Sequence, residues 1–209
     1  MKKTIITIAR QYGSGGREIG ERVAELLGIA KYDKEFVALA AEKESSFDAK
    51  ALEKVDERAT GSLLYTLAMG SNLFHAPHLS PALPLNDRLS AVQCSIIRSL
   101  AEEASCVMIG RCADYVLRDH PDRLSVFIYA DLNARKQRVS ERHGIKESKA
   151  LDIINKTDRR RASYYNFYTG RSWGKYDNYH IAINSTVLGI EGTARLIVDM
   201  ASLREQGEK

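Results

Sequence analysis

Apolar positions along the chain follow two rhythms. Ile5, Ile6 and Ile8 form a short apolar run. Apolar residues then recur at Ile19, Val23, Leu26 and Leu27, the spacing of one helix face. Between the two lies Gly13-Ser14-Gly15-Gly16. The pattern predicts a strand, a glycine-rich turn and a helix that stops near Gly28. A short second strand follows at Ile29–Tyr32, with Asp33 just past its end.

Helices are predicted over about 34–44 and 48–59, the second with Asp48 as cap and Leu52, Val55 and Ala59 on one face. Thr60-Gly61 breaks the pattern before an apolar, helical stretch at 62–69. Gly70–Leu85 is the least regular part and holds Pro77, Pro81 and Pro84 with His75 and His78. It reads as a loop that covers a site or as a partner surface.

Asn86-Asp87 opens a long helix with Leu89, Val92, Ile96 and Leu100 inward. Cys106–Ile109 reads as a buried strand that ends in Gly110-Arg111, and Leu124–Ala130 as another. Asp131 is expected to cap a helix reaching His143-Gly144, and a basic helix follows over 147–166. His180–Asn184 is the last strand, and a closing helix after Gly189 turns Ile190, Ala194, Ile197 and Ala201 inward. Short apolar strands separated by helices predict an α/β fold with a parallel sheet of about five strands and helices on both faces. Ligands in such sheets bind beyond the C-terminal strand ends. Gly13–Arg17, Asp33, Gly110-Arg111, Asp131 and Asn184-Ser185 all fall at those ends.

Composition narrows the classes. The 209 residues, 44% hydrophobic and 28% charged, fit one domain with an ordinary core. No apolar run is long enough to span a membrane. Met1-Lys2-Lys3 leads into a strand and not into a signal-peptide core. Cys94, Cys106 and Cys112 include no C-x-x-C pair, which suits free thiols in a reducing cytoplasm and argues against a metal site. Charge is uneven: Ala134–Lys175 holds twelve lysines and arginines against four acids, an excess of +8 in a chain whose net charge is +4. Such a run serves as a solvated helix face, a nucleic-acid surface or a polyphosphate site. No recognised nucleic-acid module surrounds it.

Two phosphate-loop templates compete for the first turn. The dinucleotide fingerprint G-x-G-x-x-G matches Gly13 and Gly15 but meets Glu18 at its third glycine, with Asp33 twenty residues after Gly13. The Walker pattern meets Gln11 at its first glycine, Gly16-Arg17 at Gly-Lys and Glu18 at its hydroxyl residue. The loop alone leaves phosphate binding and a plain structural turn equally open.

Longer words decide between them. They are Ile8-Ala-Arg-Gln-Tyr-Gly-Ser-Gly-Gly-Arg-Glu-Ile-Gly20, Tyr32-Asp-Lys-Glu-Phe36 and Ile109-Gly-Arg-Cys-Ala-Asp-Tyr115. Tyr164-Tyr165, Tyr168-Thr-Gly170, Trp173-Gly174, Asn178-Tyr179, Ile183-Asn-Ser185 and Leu188-Gly-Ile-Glu191 continue them. Together they resemble the cytidylate kinase-like family, relatives of bacterial CMP kinase among the P-loop nucleoside monophosphate kinases.

That resemblance implies a single three-layer P-loop kinase-like domain over 1–209, with a helical acceptor region at 34–105 and a lid at 146–178. It implies transfer from ATP, with Mg2+, to CMP or dCMP, giving ADP and the diphosphate. Gly13, Ser14, Gly15, Gly16, Arg17 and Glu18 would hold the donor phosphates. Asp33, Arg88, Arg111 and Asp114 would place the acceptor. Arg159 and Arg161 would close over the transferring group, oriented by Asp158 one helical turn away.

Three positions depart from the family pattern. Arg17 stands for lysine, Glu18 for the hydroxyl magnesium ligand, and Cys112 for the aspartate of Gly-Arg-Asp. Ser14, Glu18 or water held by Asp33 are the candidate substitutes at magnesium. A kinase for another small acceptor and a nucleotide-binding module without turnover remain the alternatives. Expected partners are nucleotides, with no membrane or nucleic acid; the Gly70–Leu85 loop is left to close either a homodimer or the acceptor pocket.

Overall fold

A computed structural model describes residues 3–33 and 85–207. The helices expected over 34–44 and 48–59, the stretch 62–69 and the proline-rich loop as far as residue 84 lie outside the described residues. The described chain runs β1 (Ile5–Arg10), α1 (Gly16–Leu27), β2 (Ala30–Tyr32), α2 (Leu85–Glu103), β3 (Cys106–Ile109) and α3 (Ala113–Val116). It continues through β4 (Arg123–Tyr129), α4 (Leu132–His143), α5 (Glu147–Thr169), β5 (Ile181–Asn184) and α6 (Ser185–Gly207).

The strands form one parallel sheet in the order β2-β3-β1-β4-β5. Alternation along β1 divides its residues between two cores. Ile6 and Ile8 join Ile19 and Val23 of α1, Val126 and Ile128 of β4, and Ala194 and Ile197 of α6 on one face. Ile5 joins Cys106 and Met108 of β3, Ile97 and Ala101 of α2, and Ala113 of α3 on the other. Each isoleucine of β1 is no more than 1% exposed, and burial of such a side chain is worth about 1.5–3 kcal/mol. Helices cover both faces, as the apolar strand runs predict. The chain leaves β1 toward β2 on one side and later crosses to β4 on the other, so a crevice opens at the C-terminal end of β1.

Several local expectations shift by a residue. In α2 the described buried residues are Asp87, Leu89, Ser90, Gln93, Ile96, Ile97 and Ala101, while Val92 and Leu100 are half-buried. Asp131 occupies the N-cap position of α4, but its side chain does not cap. Its Oδ1 accepts instead from Asn184 Nδ2 at 2.9 Å, tying the ends of β4 and β5 together. α6 begins four residues before Gly189, which interrupts it with φ 64° and ψ −171°. The aromatic residues beyond mid-α5 pack as structure: Tyr164, Tyr165 and Tyr168 are buried, and Trp173 meets Phe127 edge-on at 5.6 Å. Cys94, Cys106 and Cys112 are free thiols. No described helix is long and apolar enough to cross a membrane.

Candidate active site

β1 ends at Arg10, and the loop from Gln11 to Gly15 turns the chain into α1. Gly13 has φ +77°, and a Cβ there would lie 2.9 Å from Val139 Cγ2 and 3.0 Å from the Arg135 carbonyl. The position therefore requires glycine for both conformation and room. The first ladder bond of α1 runs from Ile19 N–H to the Gly15 carbonyl at 2.9 Å. The amides of Arg17 and Glu18 precede it, at the positive end of the helix dipole.

Two helices hold the loop from outside. Arg135 Nε of α4 donates to the Tyr12 carbonyl at 2.8 Å, and Arg138 Nη1 donates to the Gly13 carbonyl at 2.6 Å. Asp158 of α5 accepts the Tyr12 amide at 2.8 Å and pairs with Arg135. Cations thus occupy the loop carbonyls, which would otherwise repel an anion. Sequence reasoning missed Arg135 and Arg138. Their spacing of three on one basic helix is a signal, but their targets lie more than 120 residues away. Asp158, expected to orient Arg159 and Arg161, holds the loop and Arg135 instead.

Ser14 is fully buried. Its hydroxyl donates to the Gln11 carbonyl at 2.9 Å and accepts the Gly16 amide at 3.3 Å. Its own carbonyl accepts from Ser185 Oγ at 2.6 Å. Ser14 therefore shapes the turn and is turned away from a ligand. Arg17 is half exposed, reaching Asp33 at 3.1 Å and Glu21 at 3.4 Å. Glu18 pairs with Arg142 near the end of α4.

The loop opens on a cleft of about 440 Å3, a size that suits a small-molecule ligand. Among its lining residues Arg10, Arg17, Arg142, Arg160 and Arg161 face two acids, Glu18 and Asp33. A five-to-two excess of cations selects for an anion. Arg161 Nη1 donates to the Arg10 carbonyl at 3.0 Å, and its guanidinium lies 5.5 Å from the centre of the Tyr12 ring. The Nε atoms of Arg160 and Arg161 are buried, with no hydrogen-bond partner among the described residues. Arg159 is exposed and does not line the cleft; Arg160 takes the place expected of it.

Magnesium finds few ready ligands here. The Ser14 hydroxyl is spent on the turn, and Glu18 and Asp33 are paired with arginines. The side chains fit phosphate better than metal.

The acceptor-side residues are divided. Gly110, Arg111 and Cys112 are three successive left-handed residues at φ 81°, 57° and 54°, closing the end of β3 onto α3. Non-glycine residues adopt this conformation at a cost of about 1 kcal/mol each. Arg111 lies beside Tyr32, Met108 and Ala113, with its Nε buried and without a hydrogen-bond partner among the described residues. The Arg88 side chain lies outside the described residues.

Asp114, expected at the acceptor, is instead turned into the protein. It is 5% exposed and accepts Tyr165 Oη–H at 2.7 Å. Burial lifts its carboxyl from the ordinary 3.8 to about 6, against the pull of the Tyr165 hydrogen bond and of Arg123 and Arg171. Between those two values the native state binds more protons than the unfolded chain, so this group's contribution to stability falls as pH rises from about 4 to about 6. Asp114→Asn is therefore expected to gain melting temperature over the parent as pH rises through that window. Melting curves of both proteins from about pH 4 to about pH 8, a range that covers the window and extends beyond it, check this. A difference that shrinks with rising pH would contradict a raised carboxyl.

Comparison with solved structures supports the architecture. A crystal structure described as an uncharacterized protein from Eubacterium ventriosum ATCC 27560 is 27% identical, spans 96% of this chain and 99% of that one, and superposes with a TM-score of 0.73. Shikimate kinase from Bacteroides thetaiotaomicron is 13% identical over 96% and 99% of the two chains, with a TM-score of 0.52. A gluconokinase from Sinorhizobium meliloti 1021 is 16% identical over 99% and 98%, with a TM-score of 0.51. At these identities the two kinases share the fold alone, the P-loop kinase arrangement of a parallel sheet between helices. No curated protein sequence matches the chain. The model of the cytidylate kinase-like family matches residues 5–187, and the chain belongs to that family.

Proposed function

We propose that the protein is an ATP-dependent phosphotransferase whose acceptor is a nucleoside monophosphate, CMP or dCMP before others. The observation that carries this reading is the cleft, where the start of α1 and an arginine excess meet at the crevice beside β1. Phosphoryl transfer asks a protein mainly for positioning and charge neutralisation. Backbone amides at Arg17 and Glu18 suit the donor phosphates. Arg160 and Arg161 reach the cleft from α5, the helix within the expected lid, and suit the charge that spreads over the transferring group. The Arg17–Asp33 pair spans the mouth from the donor loop to the end of β2, where an acceptor would enter. Magnesium would arrive bound to ATP and would supply charge neutralisation at the phosphate oxygens, without a ligand set from this loop.

A second reading keeps the donor site and replaces the nucleotide acceptor with a small hydroxylated or phosphorylated metabolite. It is favoured by Cys112 in the aspartate place and by Asp114 turned onto Tyr165. One experiment separates the readings: ATP consumption with magnesium across nucleoside monophosphates and small polyhydroxy acids. CMP and dCMP are expected to give the highest turnover. Turnover confined to the polyhydroxy acids would favour the second reading. ATP binding with no turnover on any acceptor would leave a nucleotide-binding module.

A further inference from the structure

Arg10 closes β1, and no phosphate-loop template assigns its position a cation. Its side chain takes a path that two glycines leave open. A Cβ on Gly16 would lie 2.5 Å from Arg10 Cβ and 3.0 Å from its Cγ. A Cβ on Gly110 would lie 2.0 Å from Arg10 Nη1 and 3.1 Å from its Cζ. The stem thus passes against the first residue of α1, and the guanidinium comes to rest over the first residue beyond β3. Any side chain at Gly110 would overlap the charged group itself. Gly110 also has φ +81°, so glycine is favoured there twice over.

This path has a direction. β1 and β3 are neighbours in register at Ile8 and Ile109, and β2 lies beyond β3. The donor loop rises from the end of β1, while Asp33 and the Gly110–Cys112 turn sit at the ends of β2 and β3. Arg10 therefore extends from the donor side of the cleft toward the acceptor side, and it lines the cleft. Its carbonyl accepts from Arg161 Nη1, which joins the strand end to α5. Arg17, in the lysine place of the Walker pattern, is drawn to the rim by Asp33 and Glu21.

We infer that Arg10, and not Arg17, is the cation that meets the terminal, transferring phosphoryl group of a bound nucleoside triphosphate, delivered from the strand end through the gap at Gly16 and Gly110. The inference rests on the phosphotransferase reading. A guanidinium presents a rigid planar fork, so one residue can engage two equatorial oxygens of that group as its charge spreads in the transition state. The chain thereby supplies from β1 what the Walker lysine supplies from the helix. The passage explains why the end of β3 carries glycine.

The test compares nucleotides with and without the terminal phosphoryl group. Calorimetric titration of the full chain with magnesium and either ADP or a non-hydrolysable ATP analogue is the measurement. The parent is expected to bind the triphosphate more tightly than ADP. Arg10→Ala should lower triphosphate affinity by about tenfold to a hundredfold, the worth of a charged hydrogen bond, while ADP affinity stays within about twofold. Arg10→Lys should recover part of the difference. Arg10→Gln keeps most of the stem and removes the charge, so it serves if the alanine variant melts early. Arg17→Ala should move the two affinities together. Equal losses for both nucleotides in the Arg10 variants, no loss for either, or a parent that does not prefer the triphosphate would overturn the assignment. A parent that binds ATP but transfers to no acceptor would defeat the phosphotransferase reading while leaving this affinity contrast to be read. A parent that binds neither nucleotide would overturn both.

Discussion

Asp158→Ala is expected to cost about 3 kcal/mol of stability, the scale for removing one partner of a buried ion pair. Arg135 is 7% exposed and pairs with Asp158, so the substitution leaves a guanidinium without its counter-charge inside the protein. The Tyr12 amide loses its acceptor at the same time. Of the clasp that grips the Tyr12 peptide from both ends, only the Arg135 Nε bond to the carbonyl would remain. For a chain of this size the melting temperature should fall by roughly 10 °C. Asp158→Asn keeps an oxygen for the Tyr12 amide and loses the charge, so it should fall between the two. Nucleotide affinity should drop in the same order, because the loop is what the clasp holds. An alanine variant that melts within about 1 °C of the parent would show that the pair carries no stability.

Arg160→Ala is expected to lower kcat/KM by about a thousandfold, in the range measured for arginines that stabilise a transferring phosphoryl group. The side chain lines the cleft, and its Nε is buried without a hydrogen-bond partner among the described residues. Its loss should leave the melting temperature close to the parent's, which separates it from Asp158→Ala. Arg159→Ala, one residue away on the exposed face of α5, should stay within about threefold of the parent. Steady-state kinetics with the best acceptor from the panel decide the matter. Equal losses at 159 and 160 would mean that α5 presents a different face to the substrates than the structure shows.

These two residues also mark how far a sequence can be read. The parallel sheet and the glycine turn were legible because their signals are local: Ile5, Ile6 and Ile8 are consecutive or alternate, and Ile19 and Val23 are one helical turn apart. The family resemblance was legible because its words extend from Ile8 to Glu191. The helical phase of α5 was not. A step of one residue rotates a side chain by about 100°, so the choice among Arg159, Arg160 and Arg161 depends on what the helix packs against. The partners of Asp158, Arg135 and Arg138 were hidden for another reason. Their bonds reach back to Tyr12 and Gly13 across more than half the chain, and nothing in local spacing encodes them. Ser14 was misleading in its own way, since a hydroxyl within a glycine loop suits a ligand and suits the loop's own backbone equally.

The central place of β1 sets a timetable for biosynthesis. Ile5 is translated well before the strands that flank it, which begin at Cys106 and Arg123. The whole stretch between Ile5 and Cys106 must be translated before this oily segment finds either neighbour. Until then a nascent chain carries its future midline uncovered, the condition under which chaperones bind and unwanted association begins. The site inherits that delay, because its loop cannot be clasped until α4 and α5 have been made.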